Sequence, residues 1–190
     1  MAINNKLNDN SVKRKYKIVV VGSNAVGKTT LLRNISNQYL EKNYIPTLGV
    51  NVSNIEHSFI NEKNNSETTI YLSIWDIAGQ FFTRNLPIHK KFYNGATAAF
   101  LIFDLTRLES YEDIPEWKKT VEENVGSCLS TVLVGNKCDL KKDRIVTSEM
   151  GLELAKKLDC PYIETSALTG ENVKDAFKRI AVLLLEKNKN

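Results

Sequence analysis

The stretch Gly22–Thr30, GSNAVGKTT, follows directly on Lys15–Val21, KYKIVVV, and runs into Leu31–Ile35, LLRNI. An apolar run rich in β-branched residues reads as a strand and LLRNI as the continuation of a helix, so the glycine-bearing loop lies between them. That context gives the spacing G-x-x-x-x-G-K-[ST] a physical meaning. Gly22 and Gly27 let the backbone wrap a phosphate chain closely. The amides of Asn24, Ala25, Val26, Gly27, Lys28 and Thr29 are expected to point inward, with Thr30 completing the cradle as the helix N-terminus adds positive potential. Lys28 would neutralise β and γ oxygens, and the Thr29 hydroxyl would ligate Mg²⁺.

Working outward, short β-branched and apolar runs recur as TIYLSIW, AAFLIFDL, STVLVGN and PYIETSA. Several are apolar at consecutive positions, which suits strands covered on both faces of a parallel sheet. Helical patterns lie between them: KTTLLRNISNQY, IPEWKKTVEENV with Pro115 at its start, MGLELAKKL after Thr147-Ser148, and NVKDAFKRIAVLLLEK behind an expected Asn172 cap. The segment NVSNIEHSFINEKNNSETTIYLSIWD instead alternates around an Asn-rich turn and reads as an antiparallel hairpin. The expected fold is therefore α/β, a doubly wound, mostly parallel sheet with one antiparallel edge strand, binding ligands beyond the carboxyl ends of its strands.

The 190 residues suit one domain with one buried core, and no run approaches the roughly 18 apolar residues of a membrane helix. Organisation is expected as an extension over 1–15, one domain over 16–187 and a tail at 188–190. The polar amino end lacks a secretory core, Ala2 excludes myristoylation, and KNKN carries no cysteine for a prenyl group. The expectation is a cytoplasmic monomer with no encoded lipid anchor, any membrane association coming through partners. The cysteines, Cys128, Cys138 and Cys160, lack metal-site spacing, and the net charge of +4 comes with scattered basic pairs that predict no nucleic-acid patch.

A phosphate loop does not choose a base, but VLVGNKCDL can. The Asp139 carboxylate can accept both N–H donors on the edge of guanine, where adenine offers no such pair. Asn136 would tie this loop to the phosphate loop and the base, and the Lys137 stem would cover a face of the ring. In ETSAL, Ser166, Ala167 and Leu168 leave a strand where the Ala167 amide could meet the guanine oxygen. WDIAGQ supplies Asp76 to hold Mg²⁺ through water, the Gly79 amide for a terminal phosphate, and Gln80 to orient an attacking water. In YIPTLGV, Thr47 could close over Mg²⁺ and the γ-phosphate, with Tyr44 as a lid.

With these segments in order, GSNAVGKT, YIPT, DIAGQ, NKCD and ETSAL, the chain resembles the Ras-superfamily small GTPases from Tyr16 to Lys187. WDIAGQ, FYNGA and LVGNKCDL are most similar to the Rab branch, and IPTLGVNV has an Arf-like flavour. The resemblance implies the small-GTPase form of the P-loop NTPase fold, a six-stranded sheet with five helices. It implies GTP and GDP binding with Mg²⁺, a switch with slow hydrolysis catalysed through Gln80, and a role in intracellular trafficking or signalling. Implied partners are an exchange factor, a GTPase-activating protein and an effector at residues 45–52 and 79–93.

The departures carry expectations too. Asn24 and Ala25 stand where glycine is common, and the side chain at 24 would lie near the γ-phosphate and could crowd an incoming arginine. Phe81 replaces the glutamate usual after Gln80, Leu40 falls where an aromatic commonly stacks on guanine, and Leu168 replaces the usual lysine. Asn24 and Phe81 leave open a second reading, a guanine-nucleotide module that does not cycle.

Overall fold

The computed structural model describes residues 12–35, 50–61, 66–77, 90–126 and 129–187. One six-stranded sheet runs in the order β2-β3-β1-β4-β5-β6. Its strands are β1 (Val12–Val21), β2 (Val50–Asn61), β3 (Ser66–Ile77), β4 (Ala98–Asp104), β5 (Ser130–Asn136) and β6 (Tyr162–Thr165). The edge strand β2 is antiparallel to β3, and every other pairing is parallel. The helices are α1 (Lys28–Ile35), α2 (Lys90–Tyr93), α3 (Leu108–Glu112), α4 (Ile114–Val125), α5 (Ser148–Lys157) and α6 (Val173–Lys187). Only Asp113 parts α3 from α4; taken as one broken helix they leave five helices among the described residues, as the resemblance implies.

The continuous apolar runs follow from burial on both faces. Along β4, Phe100 and Ile102 join a core with Leu31 of α1 and with Phe177 and Ile180 of α6, while Ala99, Leu101 and Phe103 join a second core with Trp117 and Val121 of α4 and Leu154 of α5. Period-two geometry sends alternate side chains to opposite layers, so a strand inside two layers must be apolar throughout. Phe100 and Phe177 meet edge to face at 4.9 Å between centroids, an arrangement worth about 0.5–1.5 kcal/mol beyond area burial. The hairpin keeps its alternation. Ile70, Leu72 and Ile74 of β3 are buried, and Tyr71, Ser73 and Trp75 between them are only partly so.

Helix starts follow the punctuation in the sequence. Pro115 sits in the first turn of α4, and the Thr147 hydroxyl caps α5 by accepting from the Met150 amide at 3.3 Å. Asn172 differs from expectation. Its backbone is left-handed at φ 55, and its side-chain amide turns back to donate to the Glu164 carbonyl at 2.9 Å, bracing β6. The expected domain start at Tyr16 falls inside β1, because the long hairpin gives Val12–Lys15 strand partners at Thr68–Tyr71. Among the described residues no helix is long and apolar enough to cross a membrane. Cys138 and Cys160 are free thiols whose pKa burial pushes up to about 11, so neither is a thiolate at neutral pH; Cys128 lies outside the described residues.

The loop after β5 is tied to β6 by Glu164. Its carboxylate accepts from both Arg144 nitrogens at 2.9 and 2.6 Å, from Ser148 Oγ at 2.8 Å and from the Tyr162 hydroxyl at 2.9 Å. The Arg144 guanidinium holds the Glu164 carboxyl below its ordinary range, with Ser148 and Tyr162 assisting against burial. A folded-state pKa below the unfolded value gives stability that is present above the unfolded pKa, about 4.3, and is lost as pH falls through the folded one. Glu164→Gln is thus expected to melt below wild type near neutral pH, with the gap closing as pH drops below about 4. Thermal melts across that range check this, and a gap that stays constant would contradict it.

Candidate functional site

The carboxyl ends of β1, β3, β4, β5 and β6 converge on one rim of the sheet, where Asp104 pairs in register with Asn136 and Asn136 with Thr165. The loop from Gly22 to Gly27 leaves β1 there and enters α1 at Lys28, the ladder opening with the Leu31 amide on the Gly27 carbonyl at 2.9 Å. Its glycines are sterically required. At Gly22 (φ 146) a Cβ would lie 2.0 Å from the Ile102 carbonyl oxygen, and at Gly27 (φ 99) 2.2 Å from Asn136 Nδ2. Ala25, by contrast, holds a left-handed backbone at φ 59 with a side chain. An L-residue there costs about 1–2 kcal/mol, against about 0.4–1 kcal/mol of extra chain entropy for glycine. Ala25→Gly should therefore stabilise the protein by up to about 1 kcal/mol, seen as a rise in denaturation midpoint at unchanged slope.

Lys28 is 6% exposed, and its ammonium donates to the Gly22 and Ser23 carbonyls, both at 2.9 Å. Burial pushes its pKa down to about 8; Asp76 opposes that shift and the nearby Arg107 charge adds to it. A desolvated cation folded over the loop, with two of its three N–H donors on carbonyls, has the third to offer a phosphate oxygen. Thr29, in the first turn of α1 beside it, donates its hydroxyl to Asp76 Oδ2, and Thr30, next in the helix, is half-buried.

Asp76, the penultimate residue of β3, has no exposure, and among the described residues its Oδ1 has no hydrogen-bond partner. Burial raises its carboxyl pKa, while the Thr29 hydroxyl and Lys28 pull the other way. An orphaned, buried carboxylate oxygen beside a threonine hydroxyl and a phosphate cradle has the hard oxygen chemistry of a Mg²⁺ site. No cluster of three or more His, Cys, Asp or Glu that could hold a metal occurs among the described residues.

Asn136, 1% exposed at the end of β5, clasps three elements. Its Nδ2 donates to the Val26 carbonyl at 2.7 Å, and its Oδ1 accepts from Thr165 Oγ1 at 3.1 Å and from the Ala167 amide at 2.9 Å. The Ala167 amide, expected to meet the guanine oxygen, here serves the buried Asn136 oxygen. Lys137 takes a left-handed backbone at φ 69 and sends its ammonium to Asp104 Oδ2 at 2.6 Å, which fixes its stem across the loop. Asp139 stands half-buried on the turn that follows, closed by the Leu140 amide on the Lys137 carbonyl at 3.0 Å and docked by the Cys138 amide on the Thr165 carbonyl at 3.0 Å. Ser166 is buried and serves its own loop, its hydroxyl accepting from the Thr169 amide at 3.0 Å, while Leu168 is 66% exposed at the rim.

Phosphate-loop and base-loop residues are thus brought together on one rim. Tyr44, Thr47, Gly79 and Gln80 lie outside the described residues, as do Leu40 and Phe81. Sequence reasoning missed Asp104. Burial would raise its carboxyl, but bonds from Lys137 and from the Thr106 hydroxyl and amide outweigh that and hold it below the ordinary range. The available signal was a lone acid ending the buried run AAFLIFD.

A phosphate cradle between strand and helix, a buried carboxylate for a cation and a base loop clasped to both define a P-loop nucleotide-binding protein. The family model for the Ras family matches residues 17–186. The chain is 35% identical over 172 residues to the Ras-related protein SEC4 of Candida albicans, covering 90% of this chain and 78% of that one. It is 34% identical over 166 residues to the Ras-related protein RIC1 of Oryza sativa subsp. japonica, at 87% and 78% coverage, and 34% identical over 166 residues to the GTP-binding protein YPT1 of Saccharomyces cerevisiae, at 87% and 77%. The chain belongs to the Ras family: it is a Rab-like small GTPase that binds GTP and GDP with Mg²⁺ and hydrolyses GTP to GDP and phosphate.

Proposed function

We propose that this protein is a GTP/GDP switch with slow intrinsic hydrolysis, working in intracellular trafficking or signalling through one GTPase domain over residues 16–187. The observation that carries this reading is the Asn136 clasp, which joins the Val26 carbonyl of the phosphate loop to the loop bearing Asp139. One side chain couples purine recognition to the phosphate grip. Asp139 accepts from the guanine edge, Lys137 lies along the ring and Leu168 flanks it at the rim. Lys28 and the inward amides from Asn24 to Thr30 hold the phosphates. Thr29, Thr47 and Asp76 would hold Mg²⁺, which when bound neutralises charge developing on the phosphate oxygens. Gln80 orients the attacking water, and Gly79 donates to the γ-phosphate.

Without an arginine finger such a site turns over on the order of 10⁻⁴ s⁻¹. Thr47 and Gly79 would bind the same terminal phosphate, with Tyr44 over it, so its loss releases two loops together. Partners that favour one state, an exchange factor, an activating protein and an effector, would contact residues 45–52 and 79–93. The second reading, a module that binds but does not cycle, draws on Asn24, whose Oδ1 accepts from the Ala25 amide at 3.0 Å, one of the amides expected to face phosphate. Single-turnover hydrolysis by wild type and Gln80→Leu, with the co-purifying nucleotide identified, separates the two. A slow wild-type rate abolished in the variant supports the switch; equal, negligible rates favour the non-cycling module.

A further inference from the structure

The phosphate loop is gripped from its outer side by residues that lie in none of the nucleotide motifs. Arg107, the residue preceding α3 with an extended backbone, donates from Nη2 to the Asn24 carbonyl at 2.5 Å. At the break between α3 and α4, Asp113 accepts from the Ser23 hydroxyl, which in turn accepts from Trp117 Nε1 at 3.4 Å. The support is itself rigid. Ser110 Oγ donates to the Arg107 carbonyl at 2.7 Å and accepts from the Asp104 amide at 3.0 Å, and the Arg107 amide donates to the Asp104 carbonyl at 3.0 Å. The connection from Asp104 to Arg107 therefore touches the base loop at one end, through Lys137, and the phosphate loop at the other.

A guanidinium on the Asn24 carbonyl fixes the peptide whose N–H belongs to Ala25 and bonds Asn24 Oδ1. That peptide needs fixing, because Ala25 is strained at φ 59 and the loop has cheaper shapes to relax into. Lys28 steadies the same loop through the Gly22 and Ser23 carbonyls, which leaves its third N–H for phosphate. Arg107 and Asp113 hold the same stretch through different atoms, the Asn24 carbonyl and the Ser23 hydroxyl. We propose that Arg107 and Asp113 are positioning residues that lock the phosphate loop from behind in its binding shape and so set how long a nucleoside diphosphate is retained. They touch no reacting atom. The inference rests on the guanine-nucleotide reading above.

The test is release of a fluorescent GDP from the full chain with Mg²⁺, for wild type, Arg107→Ala, Arg107→Lys and Asp113→Asn, alongside competition by guanosine, which has no phosphate. Arg107→Ala should release GDP about tenfold to a hundredfold faster, the range for one charge-assisted hydrogen bond, with Arg107→Lys in between and guanosine competition unchanged. A release rate indistinguishable from wild type in both Arg107→Ala and Asp113→Asn overturns the inference. So does an equal loss of guanosine binding, which would mark a general structural role. Wild type that takes up no GDP overturns this inference together with the nucleotide reading, whereas wild type that holds GDP beside variants releasing it at the same rate overturns this inference alone.

Discussion

Asp139→Asn is expected to lower affinity for GDP by on the order of 10⁴ and to turn the preference toward xanthosine diphosphate. The guanine edge presents two N–H donors, and a carboxylate meets both with acceptors. Asparagine sets its own N–H against one of them, which loses a hydrogen bond and leaves a buried donor unpaired. Xanthine replaces the amino donor with a carbonyl, so the variant regains a matched pair. The size of the effect depends on how firmly the side chain is held. Asp139 rides on a turn closed by the Leu140 amide on the Lys137 carbonyl, docked to the Thr165 carbonyl through Cys138 and anchored by Lys137 on Asp104. A turn fixed at these points cannot swing away to relieve the mismatch. Competition of GDP and xanthosine diphosphate against a fluorescent guanine nucleotide measures the switch, and an unchanged preference for GDP would refute the assignment of Asp139.

What could be read from the sequence was what is decided locally. The run AAFLIFD announced a strand covered on both faces, and β4 is buried at every position. The loop at Gly22–Thr29 was legible because its glycines, its lysine and the following helix sit within a few residues of one another. By contrast α2 is a four-residue turn, KKFY, too short to show a period, and α3, LESYE, has barely more than one turn before Asp113 breaks it. Contacts set by register were also hidden. Lys137 meets Asp104 only because β4 and β5 end side by side, with Asp104 opposite Asn136. Arg107 reaches Asn24 across 83 positions of chain, a distance over which no spacing rule operates. Nor does any spacing rule bring the Ala167 amide to the buried Asn136 oxygen.

That buried amide sets the largest stability effect in the site. Asn136→Ala removes three hydrogen bonds at once and strands the Val26 carbonyl, the Thr165 hydroxyl and the Ala167 amide in a dry interior. At about 1–3 kcal/mol for each orphaned group, with some relief by water, the expected loss is about 3–5 kcal/mol. Gly27→Ala should be severe for a related reason, since its Cβ would fall 2.2 Å from Asn136 Nδ2. The next neighbour, Ala167 Cβ, stands at an ordinary 3.9 Å, so the clash is with the clasp itself. Removing the clasp therefore removes most of the reason for glycine. In the double variant, Gly27→Ala should cost only the strain of its φ of 99, about 1–2 kcal/mol. The two changes should fall short of additivity by at least about 1 kcal/mol. Denaturant unfolding of wild type, both single variants and the double variant measures the coupling. Strict additivity would mean that backbone strain alone, not the amide of Asn136, keeps a side chain out of position 27.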